Sequence, residues 1–149
     1  MINELKSIIQ KSDNIVFLGG AGVSTESNIP DFRSEEGLYN SKEKYPPEVI
    51  LSHSFFMKHP DLFYSFYKSK MIYKEAKPNK AHLALAKIEE KGKLKAVITQ
   101  NIDGLHQLAG SKKVLELHGS VHRNYCMKCN KAYSLEDVIN SEGIIPYCK

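Results

Sequence analysis

A chain of 149 residues that is 42% hydrophobic and 26% charged is long enough to bury one core and too mixed in composition for a disordered or fibrous polymer. Its formal charge of +4 is spread as single lysines, which argues against a nucleic-acid arm or a membrane-binding stripe. The start, Met1-Ile2-Asn3-Glu4-Leu5-Lys6, has no apolar h-region and no apolar run approaches the roughly 18 residues of a membrane span, so a cytoplasmic protein is expected.

Ile2, Leu5, Ile8 and Ile9 recur at helical spacing and predict an amphipathic helix over about 2–11, broken by Ser12-Asp13-Asn14. Ile15-Val16-Phe17-Leu18 is a short apolar run of the kind buried on both faces of a parallel sheet, and Gly19-Gly20-Ala21-Gly22 ends it. Residues 34–47 read as a loop. Pro60-Asp61 opens a helix expected to reach about Tyr73, whose stripe of Phe63, Phe66, Tyr67 and Ile72 is assigned to core packing in preference to a binding groove. Lys77-Pro78-Asn79 precedes a helix over about 80–91, ended by Gly92. Leu94–Thr99 and Val114–Leu117 are further strands. The order is that of a doubly wound, Rossmann-like α/β fold with a parallel sheet, incomplete at three strands. We expect residues 1–120 to be the N-terminal part of a dinucleotide-binding domain with a helical insertion at about 40–75, and 121–149 to be part of a zinc-binding module.

The run Gly20-Ala21-Gly22-Val23-Ser24-Thr25 follows a strand and is expected to open a helix, where backbone N–H groups can meet a pyrophosphate. Thr25 stands where the dinucleotide fingerprint has a third glycine, and no acidic residue follows a second strand at the customary distance. By itself this run leaves nucleotide binding and a structural turn both open.

Three further stretches narrow the choice. Ser27-Asn28-Ile29-Pro30-Asp31-Phe32-Arg33 continues the loop, Thr99-Gln100-Asn101-Ile102-Asp103-Gly104-Leu105-His106 follows a later strand, and Leu117-His118-Gly119-Ser120 ends the next. In order and spacing these stretches resemble the signature motifs of the sirtuin family, and the resemblance covers essentially the whole chain. All three fall beyond the carboxyl ends of strands, where open α/β sheets bind ligands.

The resemblance implies an NAD-dependent protein-lysine deacylase acting on an acyl-lysine protein or peptide. It implies that the backbone of Ala21 and Gly22 and the side chain of Thr25 hold NAD, with Phe32 and Arg33 on a loop that covers it. Gln100 and Asn101 address the nicotinamide ribose, and Ile102 and Asp103 the carboxamide. His118 is the implied general base, counted with Asn101 as catalytic and also as cofactor-facing; a neutral imidazole can take a proton from a ribose hydroxyl. The acyl oxygen attacks the ribose as nicotinamide leaves, and the products are free lysine and an O-acyl-ADP-ribose. His53, His59, His82 and His122 are read as structural, and His106 as a turn-packing residue. Gly19 and Asn28 depart from the commonest family pattern, which has Thr and Gly there; Asn tolerates left-handed backbone angles, so it can serve the turn.

Cys126-Met127-Lys128-Cys129 and Cys148, all in the last 24 residues, match a two-pair structural zinc pattern up to its third ligand. A fourth cysteine would fall two residues beyond Lys149. A truncated chain is therefore expected, with an open zinc site that water or His122 could complete, low stability and little or no deacylase activity. Protein ADP-ribosylation and a non-catalytic module that binds NAD or ADP-ribose are the rival readings. No basic cluster surrounds the cysteines, so nucleic-acid binding is not expected.

Overall fold

The computed structural model describes residues 2–32, 37 and 44–148. The chain divides into two compact units, one of residues 1–29 and 75–119, the other of residues 30–74 and 120–149.

The first unit is built on three parallel strands, β1 (Ile15–Gly19), β2 (Leu94–Thr99) and β3 (Val114–Glu116), side by side in that order. Phe17 pairs with Val97 and Val97 with Val114, so alternate residues of the three strands share a face. β2 is central and Val97 is fully buried. All three strands lie where the apolar runs put them, with shifts of one residue at the ends; the ladder continues past β3 through the Leu117 N–H to the Thr99 carbonyl at 2.9 Å.

Helix α1 (Ile2–Lys11) forms as its spacing predicts, yet it buries no residue. Its end is clamped by Lys93, whose Nζ donates to the carbonyls of Gln10 and Ser12 and meets the Asp13 carboxylate at 3.2 Å. A cation satisfying the last carbonyls of a helix is a favourable use of the helix dipole. The Phe17 and Val97 face carries the later helices: α5 (Lys80–Glu90) packs on β2, and His106 in the short α6 (Leu105–Leu108) meets the Phe17 ring. The opposite face buries Ala96 but leaves Val16, Leu18, Leu115 and Leu117 each about half exposed or more, so β1 is not buried on both faces as its apolar run predicted.

In the second unit, α2 (Pro47–Ile50), α3 (His53–Lys58) and α4 (Pro60–Phe66) gather Ile50, Phe55 and Phe66 into a core against which Tyr45, Leu51 and Met71 pack. The aromatic stripe does pack: Phe66 is buried, and Phe63 stacks on Tyr67 at 5.7 Å. The helix expected to reach Tyr73 instead stops at Phe66 and continues as a wider π turn over Tyr67–Met71. Ser69 supplies the reason, because its hydroxyl donates to the carbonyls of Ser65 and Phe66 at 2.8 and 3.2 Å and competes with the backbone N–H groups. A hairpin of β4 (Asn124–Tyr125) and β5 (Ala132–Tyr133) is followed by α7 (Leu135–Ile139), which Ser134 and Asp137 cap reciprocally. Lys68 and Lys74 reach this part of the unit through Ser141 and Glu136.

Candidate functional site

Because the three strands are parallel, their carboxyl ends lie at one edge of the sheet. Gly19, Thr99 and Glu116 therefore hand the chain to the three motif segments at that edge.

After β1 the backbone does not enter the expected α-helix. It makes two tight 3-10 turns, Ala21–Val23 and Thr25–Ser27, and Asn28 closes the second with a left-handed φ of 61°. Asn28 thus performs the turn for which glycine is the usual residue. Gly22 is open on its Cα side, since a Cβ there would meet nothing within 4 Å. Thr25 is exposed, and its hydroxyl donates back to the Gly22 carbonyl at 3.0 Å. Gly19 has a packing reason: a Cβ there would stand 2.5 Å from Cε1 of the Phe17 ring.

Between the two turns sits Ser24, only 1% exposed. Its Oγ donates to Asp103 Oδ2 at 2.7 Å and accepts from Asn101 Nδ2 at 3.0 Å. Asp103 Oδ1 accepts the Leu105 N–H at 2.9 Å, which opens α6, and the Asn101 N–H donates to Thr99 Oγ1. The first and second motifs are locked together by three polar side chains. Ser24 was absent from the residues singled out by sequence, although a hydroxyl inside the glycine run was the available signal.

His118 follows β3 and is exposed. Its Nδ1 lies 3.1 Å from the Gln100 carbonyl oxygen. A carbonyl can only accept, so in the neutral ring Nδ1 carries the hydrogen and Nε2 carries the lone pair. That is the tautomer a general base needs, held by backbone from the neighbouring strand's end. Ile102 is half-buried within the same loop. Phe32 is half-buried in the second unit, and Arg33 lies outside the described residues.

The cysteines also converge. The sulfurs of Cys126, Cys129 and Cys148 lie within 4.8 Å of one another, and His122 is not part of that group. Four thiolates at about 2.3 Å from a tetrahedral zinc would be roughly 3.8 Å apart, so the donor set fits that ion. Backbone N–H groups of Cys129 and Lys128, with the neighbouring thiols, draw Cys126 down to about 7. Asn130, at φ 59°, turns the chain between the two hairpin strands.

A glycine-rich turn after the first strand of a parallel sheet, with polar loops from the next two strands at the same edge, defines a Rossmann-like α/β protein. Residues 20–149 match the Sir2 family model, and the chain belongs to the Sir2 family, as the motifs indicated. It is 69% identical, over 99% of its length, to an NAD-dependent protein deacetylase of Clostridium acetobutylicum. A solved Sir2 structure with a deacetylated p53 peptide and 3′-O-acetyl ADP ribose superposes with a TM-score of 0.90 at 48% identity over 99% of the chain. A Sir2 structure with a p53 peptide and NAD+ gives 0.83 at 47% identity over 99%. The chain spans 61% of the Clostridium acetobutylicum protein and 60% and 59% of the two solved chains. Among the described residues no helix is long and apolar enough to cross a membrane.

Proposed function

We propose that this chain supplies the nicotinamide-ribose side of an NAD-dependent protein-lysine deacylase. The observation that carries the reading is the 3.1 Å approach of His118 Nδ1 to the Gln100 carbonyl, which assigns the hydrogen to Nδ1 and leaves Nε2 as a proton acceptor at the edge where Ser24, Asn101 and Asp103 meet. The relatives' names, which specify NAD-dependent protein deacetylases, support the same reaction.

NAD, when bound, supplies a ribose that accepts the acyl group as nicotinamide departs. The backbone of Ala21 and Gly22, open at Gly22, and the exposed Thr25 suit its phosphates, with Phe32 and Arg33 on the loop that covers it. Gln100 and Asn101 address the ribose, while Ile102 and Asp103 address the carboxamide. His118 Nε2 takes the proton of a ribose hydroxyl, and the resulting imidazolium keeps its Nδ1–H on Gln100. Such chemistry asks of the protein mainly orientation and one placed base. The acceptor is an acyl-lysine protein or peptide, and Cys126, Cys129 and Cys148 hold a structural zinc. Residues 1–120, with the helical insertion at about 40–75, serve as the NAD-binding part, and 121–149 as part of the zinc module.

The test joins this chain to the remaining segment of the Clostridium acetobutylicum relative and supplies NAD with an acetylated peptide. Free lysine, nicotinamide and O-acetyl-ADP-ribose should form in equal amounts, and His118→Ala should slow their formation by about 10²–10⁴-fold. ADP-ribose attached to protein, with the acetyl group retained, would make the chain part of a transferase. An alanine variant as fast as the parent would end the assignment of His118. The chain of 149 residues alone is expected to show little or no turnover.

A further inference from the structure

Two histidines outside the proposed catalytic group are among the most deeply buried side chains of the first unit: His82 is 0% exposed and His106 1%. Their rings meet edge to face, 4.7 Å between centroids at 60°. His82 Nδ1 accepts the Asn79 N–H at 3.3 Å, so the neutral ring carries its hydrogen on Nε2. That Nε2 and both nitrogens of His106 have no hydrogen-bond partner among the described residues. Apolar side chains would fill this space without leaving polar atoms unmatched, so two imidazoles here are unexpected on packing grounds alone.

Each ring belongs to a helix whose first turn is tied to the glycine-rich segment. His82 is in the first turn of α5, where the Asn79 side chain caps the helix and donates from Nδ2 to the Val23 carbonyl at 2.7 Å. His106 is in α6, which Asp103 opens while holding the Ser24 hydroxyl. Phe17 of β1 closes a third side, 5.9 Å from the His106 ring. The imidazole pair therefore lies between the two anchors of the 20–28 segment.

We propose that His82 and His106 are positioning residues, an uncharged imidazole pair that sets the spacing between the starts of α5 and α6 and so keeps Asp103 and Asn101 on Ser24. Its consequence for turnover rests on the reading of that cluster as cofactor-facing, whereas the positioning itself needs no cofactor. The charged group facing both rings is Asp103; the other titratable neighbour of each ring is its partner. From β1 the pair meets Phe17, from the start of α5 Asn79, and from the segment after α6 Ser111, whose N–H donates to the His106 carbonyl, and none of these three titrates near neutrality. Burial lowers both imidazoles, His82 lowers His106 further, and Asp103 opposes both effects. A proton that enters the pair makes Asp103 its nearest counter-charge and sets it in competition with the Ser24 hydroxyl for that carboxylate.

The test is a histidine and amide NMR titration of the whole chain without cofactor, from about pH 8 downward until the buried imidazole signals move. The His82 and His106 rings should titrate in separate steps below the ordinary 6.5, and the Ser24, Asn101 and Leu105 amides should move with the first of them. His106→Phe should reduce that amide transition to what His82 alone drives, while the Val97 amide keeps its native shift; His106→Gln, smaller and also non-titrating, serves as the second variant. Amides of Ser24, Asn101 and Leu105 that stay still through the ring titration would overturn the proposal, as would an unchanged transition in a folded variant. Since NAD takes no part, a failed deacylation assay leaves this result standing, and a failed titration leaves the deacylase reading standing.

Discussion

Ser24 donates to Asp103 Oδ2 at 2.7 Å across 79 residues of sequence, and the donor is almost completely buried. A carboxylate that loses such a donor keeps its desolvation without its compensation. Ser24→Ala should therefore cost about 1–3 kcal/mol of unfolding free energy. Asp103→Asn keeps one acceptor oxygen where Asp103 uses two, for the Ser24 hydroxyl and the Leu105 N–H, so it should cost at least as much. Urea unfolding of the two variants checks the order, and equal midpoints for parent and Ser24→Ala would show the bond to be energetically idle.

Gly19 and Phe17 alternate on one face of β1, and the ring occupies the space into which a Cβ at position 19 would project, 2.5 Å from Cε1. This accounts for glycine where the family commonly has threonine. Gly19→Thr should destabilise the first unit by about 1–3 kcal/mol, the usual range for overpacking. Combining it with Phe17→Leu should recover part of that loss. A double-mutant cycle measures the coupling, and strict additivity of the two changes would refute the steric explanation.

Acid should weaken the fold sooner than its carboxylates alone require. His82 and His106 are both held below the ordinary imidazole value of 6.5, chiefly by burial. The folded state therefore binds fewer protons than the unfolded state in the window from about 6.5 down to the lowered values, and stability falls as pH falls through it. Thermal midpoints of the parent and of His106→Phe, measured at about pH 7.5 and about pH 5.5, should differ less in the variant. An equal drop in both would assign the acid sensitivity elsewhere.

The three thiols already lie within 4.8 Å of one another, so zinc binding should demand little rearrangement. Cys129→Ser should lower zinc affinity by at least about 10–100-fold, the loss typical of removing even an outer-shell partner. It should also loosen the hairpin of β4 and β5, whose turn carries Cys126 and Cys129, and leave β2 protected. Competition with a chromophoric chelator reads the first effect and amide exchange the second. Parent-like affinity in the serine variant would remove Cys129 from the ligand set.

The sequence alone determined the parallel α/β class, the three strands within a residue, the helices at the start of the chain and after Asn79, and the family, because apolar spacing, glycine turns and motif order are properties of neighbouring residues. It also singled out His118 and the three cysteines, which stand out by residue type. Tertiary structure decided what depends on distant segments meeting. Ser24 acquires its partner only when β1 and β2 align; His82 and His106, 24 positions apart, become a pair only when α5 and α6 settle against the Phe17 and Val97 face. The helix after Pro60 ended early because the Ser69 hydroxyl took backbone carbonyls, and the glycine run made tight turns while Ser24 bonded Asp103, both choices made by side-chain hydrogen bonds that apolar periodicity does not record.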